Sequence, residues 1–132
     1  MGKIINVFEN NCIRAWTDEN GVGRVYFKIK SNVTHEDFLN YIKNVEKLSR
    51  GKPRPVLIDI MNIGFVSDPA FTQMITDKKT IKLTKAAAVL VASPSMRVMF
   101  FLDFLLKMKI PPFPSKIFLN EKKALQWLEQ YK

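Results

Sequence analysis

The sequence has 132 residues, 47% hydrophobic and 25% charged, a balance ordinary for a globular chain that buries its own core. Lys and Arg number 21 against 12 Asp and Glu, a net charge of +9, which favours anionic partners such as nucleic acid or lipid headgroups and equally serves solubility. The single cysteine, Cys12, excludes an internal disulfide framework.

One domain over 1–132 is expected, since this length buries roughly two-thirds of the surface the unfolded chain would expose. No apolar run reaches the roughly 18 residues of a membrane span. The first residues have neither a signal-peptide core nor a myristoylation pattern, because Asn6 stands where Ser or Thr is needed. A soluble, cytoplasmic protein is the expectation.

In chain order, residues 4–30 read as antiparallel β-structure. Ile4 to Phe8 and Cys12 to Trp16 flank Asn10-Asn11, and Asn20-Gly21 then leads into an alternation of Val25, Phe27 and Ile29 with Arg24, Tyr26 and Lys28. Asn-Gly between alternating runs is a hairpin signal. Thr34-His35-Glu36-Asp37 resembles a capping box, and Phe38, Ile42, Val45 and Leu48 follow at helical spacing until Gly51 and Pro53. Val56, Leu57, Ile58 and Ile60 form a strand buried on both faces, closing on Ser67-Asp68-Pro69. There Asp68 caps a helix predicted from Pro69 to about Thr80, with Phe71, Met74, Ile75 and Lys78 on one side. A second buried strand covers Ala86 to Val91, and Ser93-Pro94 starts a third helix to about Met108. Pro111 to Pro114 interrupts the chain before a strand at Lys116 to Leu119. Asn120 caps a last helix that aligns Ala124, Leu125, Leu128 and Tyr131. The pattern predicts an α/β fold: a mixed β-sheet with an N-terminal antiparallel hairpin, parallel crossovers, and about four helices mainly on one side.

The stretch Asp59-Ile60-Met61-Asn62-Ile63-Gly64-Phe65-Val66, followed by Ser67-Asp68-Pro69-Ala70, resembles the STAS domain of sulfate transporters and anti-sigma factor antagonists. In that family a strand ends in Asp, and a short loop leads to Asp-Ser-Ser-Gly at a helix start. Lys85 to Ser93, Pro114 to Phe118 and Ala124 to Leu128 add to the likeness, which covers nearly the whole chain. The resemblance implies a STAS-like (SpoIIAA-like) fold and a bacterial regulatory protein that binds another protein. In antagonists the phosphorylated serine is the second residue of the four-residue site. Here that position is Asp68, which no serine kinase modifies. A fixed carboxylate supplies less charge than a phosphate, so the resemblance comes without the serine phosphoswitch.

Enzyme chemistry has little to stand on. His35 and Cys12 are single and fall on different elements, no zinc spacing occurs, and the five glycines form no phosphate loop. No metal or cofactor is expected. Asp59, near the end of a buried strand, reads as a carboxylate satisfied by neighbouring amides.

Three surfaces follow from the pattern. The first is a partner-binding loop of Asn62, Gly64, Phe65, Ser67, Asp68 and Ser93. The second is Met96, Phe100 and Phe104 on the third helix, a face for a homodimer or, in the alternative reading, for a small apolar ligand or lipid as in Sec14-type proteins. The third is a basic edge of Lys47, Arg50, Lys52, Lys78, Lys79, Lys82 and Lys85, with Arg54 beside them, where helix C-termini run into the sheet. Cations there answer helix dipoles, or they face a polyanion, with peripheral lipid contact open. The lack of aromatic residues among them argues against nucleic acid. The leading expectation is a non-enzymatic protein-interaction module.

Overall fold

Side-chain oxygens build the first turns of the sheet. The computed structural model describes residues 7–28, 32–62, 65–66, 77–92 and 113–132, with the backbone alone at 32, 33, 35, 65 and 66. β1 (Val7–Glu9) joins β2 (Ile13–Thr17) through Asn10, whose Oδ1 accepts from the amides of Cys12 and Ile13 at 2.8 Å each. β2 joins β3 (Gly23–Phe27) over Asp18, whose Oδ1 accepts from the amides of Asn20 and Val22. Gly21 takes φ +83° in that turn, a conformation open to a residue without a Cβ.

The capping box is present as the sequence predicts. Thr34 Oγ1 accepts from the Asp37 amide while Asp37 Oδ2 accepts from the Thr34 amide, and α1 (His35–Ser49) begins there. It ends where Arg50 and Gly51 turn left-handed, at φ 57° and 72°. That lets the Gly51 amide reach the Glu46 carbonyl at 3.0 Å. β5 (Arg54–Asp59) follows. Ahead of α1, β4 (Asn32–Val33) pairs in parallel with β6 (Phe65–Val66), a small second ladder that sequence pattern does not predict. After α2 (Lys78–Lys82) come β7 (Thr84–Leu90), β8 (Ser115–Phe118) and α3 (Glu121–Leu128), whose chain continues as a 3₁₀ turn at Glu129–Tyr131.

The main sheet has the order β1-β2-β3-β5-β7-β8, antiparallel over the first three strands and parallel from β3 onward. Its two faces are buried by different partners. On one face Phe27, Phe38, Tyr41, Val45, Leu48 and Val89 form the larger cluster under α1, and Leu83 beside α2 joins it. On the other face Leu57, Ala86, Ala88 and Leu90 pack against Ala124 and Leu128 of α3. The aromatic residues of the first cluster meet edge to face, with Phe38 and Tyr41 centroids 6.0 Å apart at 84°.

The mixed sheet and its N-terminal hairpin agree with the sequence reading. Of the four helices expected, the described residues contain three: α1 and α2 on one face and α3 on the other. The helix predicted from Pro69 to about Thr80 does not run through its last turn. Asp77 is extended, with ψ 127°, and its carboxylate accepts from the Thr80 amide and hydroxyl at 2.9 and 3.1 Å, capping a helix that begins at Lys78. An aspartate that captures the amide three residues on favours a helix start at its own position over a place inside one. Residues 4–6, the helix start at 67–76 and the third predicted helix at 93–108 lie outside the described residues.

Candidate functional site

Because β5, β7 and β8 are parallel, their C-terminal ends meet at one end of the sheet. The ladder extends one step past the strands there, from the Ile60 amide to the Leu90 carbonyl at 3.0 Å and from Val91 to Phe118 at 2.9 Å. Immediately beyond, Met61 and Leu119 are 41% and 51% exposed, large apolar side chains facing solvent at the same end. Asp59 Oδ1 accepts from the Met61 amide at 3.0 Å, holding the turn that presents Met61 and Asn62. Burial pushes the Asp59 carboxyl above its ordinary value, only partly offset by that hydrogen bond. The carboxylate thus bonds a neighbouring amide, as read from the sequence. Asn62 Nδ2 donates to Tyr26 Oη at 3.3 Å and ties the turn to β3.

Beside this turn lies a polar cluster that sequence reasoning missed. Arg24 bridges Asp18 at 3.0 Å and Glu121 at 3.1 Å, joining the β2–β3 turn to the start of α3. The guanidinium groups of Arg14 and Arg24 stand 5.2 and 5.9 Å from the Trp16 ring centroid. A cavity of about 50 Å³ opens among Trp16, Arg24, Tyr26, Asp59 and Glu121. It is far below the roughly 300 Å³ at which pockets for organic ligands begin. The residues alternate along β2 and β3, so their shared face was legible. Their link to Glu121, 97 positions away, was not.

The opposite end of the sheet is basic. Lys47, Arg50 and Lys52 at the close of α1, Lys78, Lys79 and Lys82 on α2, and Lys85 on β7 all fall there, and all are exposed. Arg54 does not belong to that surface. It is 5% exposed, its guanidinium lying against Gly23 and beside the Tyr41 hydroxyl, and its Nε has no acceptor. Burial holds its pKa below the ordinary guanidinium value.

Among the described residues no group of three or more His, Cys, Asp or Glu side chains could hold a metal ion. Cys12 faces Asp37, and burial raises the thiol further from its reactive form. No described helix is long and apolar enough to cross a membrane.

Of the predicted partner loop, Asn62 is at the surface beside Met61, and Phe65 contributes backbone to β6. Gly64, Ser67, Asp68 and Ser93 lie outside the described residues, as do Met96, Phe100 and Phe104 of the predicted dimer or lipid face.

These features define a mixed α/β protein of STAS-like architecture. The fold is similar over 97% of this chain to the crystal structure of an uncharacterised protein of the DUF3478 family, with a SpoIIAA-like fold, from Shewanella loihica PV-4. The TM-score is 0.56 at 19% identity, and 95% of that chain is covered, a likeness of fold alone. Residues 15–132 match the domain of unknown function DUF7793, and the chain belongs to that family. No curated protein matches the sequence.

Proposed function

We propose that the protein is a non-enzymatic interaction module that holds another protein at the C-terminal end of its parallel strands. The contact surface is Met61, Asn62 and Leu119 together with Gly64, Phe65, Ser67 and Asp68 after β5 and Ser93 after β7. The observation that carries this reading is the exposure of Met61 and Leu119 at one end of the sheet, where loops mounted on buried strands form contact surfaces in α/β proteins. Asp68 in place of the antagonist serine makes the binding constitutive, without a kinase.

Affinity capture from the native host, comparing wild type with Met61→Asp and Leu119→Asp, tests it. The reading expects a stoichiometric protein partner, lost in both variants while their thermal unfolding stays that of the wild type. Equal capture by wild type and variants would refute it.

A further inference from the structure

At the basic end of the sheet a cavity of about 240 Å³ opens between the last turn of α1 and α2, lined by Glu46, Gly51, Lys78, Lys79, Lys82 and Leu83. Among the described residues three ammonium groups share it with one carboxylate. Lys79 Nζ stands 3.7 Å from Glu46, a long ion pair, and among the described residues Lys78 and Lys82 have none. Asp77, next to Lys78 in sequence, has its carboxylate turned to the Thr80 amide and hydroxyl.

α2 is a single turn of five residues, too short for its dipole to assign these cations to one end or the other. Lys78 and Lys82 are four apart, so their like charges are neighbours on the helix surface and repel. An anion in the cavity would relieve that repulsion.

We propose that this cavity binds a small, multiply charged phosphate group, such as a diphosphate or a phosphate ester. Its volume exceeds a single phosphate and falls short of the roughly 300–1,000 Å³ of pockets for larger organic ligands. Lysines bind phosphate as mobile point charges, without the fixed fork an arginine would impose. Lys47, Arg50, Lys52 and Lys85 extend the positive field around the opening and raise the local anion concentration. Among the described residues no aromatic side chain lines the cavity, and these residues offer no platform for stacking bases. The site is at the other end of the sheet from the proposed protein contact and stands independently of it.

The test is calorimetric titration of the full chain with inorganic pyrophosphate at two salt concentrations. Saturable binding at one site is expected, weakening as salt rises. Lys78→Ala and Lys82→Ala should each lower affinity on the order of tenfold, the cost of losing a charge-assisted contact. Lys52→Ala and Lys85→Ala, outside the cavity, should change it far less. The cavity variants should unfold at or above the wild-type temperature, so lost binding cannot be lost folding. Phosphatidylcholine vesicles containing phosphatidic acid separate the sources of the phosphate. Co-sedimentation that pyrophosphate reverses assigns a lipid headgroup, and pyrophosphate binding without co-sedimentation assigns a soluble phosphate. Absence of saturable binding, or equal losses at Lys52, Lys78, Lys82 and Lys85, would overturn the proposal in favour of diffuse surface charge.

Discussion

The Arg54 guanidinium occupies the space that a side chain at Gly23 would need: a Cβ built there would stand 2.5 Å from Nε and 2.7 Å from both Cζ and Nη2. Gly23 is therefore a packing glycine in β3, and the residue it accommodates is a buried charge from the start of β5. Gly23→Ala should destabilise the fold by about 1–3 kcal/mol, because a buried guanidinium has little room to retreat. The same substitution in an Arg54→Met background should cost much less, since the clashing group is gone. Chemical denaturation of the four proteins of this cycle measures the coupling. Equal costs in both backgrounds would show that Arg54 is not the cause.

Asp59 gives a pH dependence of defined sign. Burial raises its carboxyl pKa in the folded state, so the folded protein binds the proton more tightly than the unfolded chain does. The favourable contribution is complete below the unfolded value and is lost as pH rises through the folded one. At neutral pH the ionised carboxylate therefore costs stability, and Asp59→Asn, which keeps an oxygen for the Met61 amide, should melt above wild type. That advantage should shrink as pH falls through the carboxylate range. Melting temperatures of the pair across that range decide it. A difference constant with pH would reject the assignment.

The layer between β7 and α3 is built on alanines from both elements. Ala86 and Ala88 are fully buried against Ala124 and Leu128, so small residues on both elements set how closely α3 approaches the sheet. Ala88→Leu should cost about 1–3 kcal/mol by overpacking that layer. The loss would be read as a lower calorimetric melting temperature. Unchanged melting would mean that α3 is not held at this spacing.

Much of the fold could be read locally. The Thr34 box, the Asn120 cap and the Asn20-Gly21 turn each depend on residues within four positions of one another, and each is present. The helix start at Asp77 escaped because Phe71, Met74, Ile75 and Lys78 keep a helical spacing across it, and periodicity does not register a side chain that caps in mid-pattern. The burial of Arg54 escaped for a different reason. A charge between two prolines reads as loop surface, and its partner Gly23 is 31 positions earlier, joined to it only by β3–β5 pairing. At the candidate site, Asn62 was legible from the strand-end pattern. The exposure of Met61 and Leu119 depends on which strands end side by side, which is fixed by the sheet order.

The strands at the margins of that sheet limit its growth. Among the described residues β1 has three residues and β8 four, and Pro114 stands directly before β8 with no amide proton to offer. Lys28 ties Glu9 of β1 at 2.6 Å, and Lys116 of β8 is exposed. A copy approaching either margin meets a short row of free backbone groups flanked by charge or proline, a poor template for adding strand to strand. A chain with six strands in one layer thus keeps its sheet finite, and association is left to side chains, where specificity can be built.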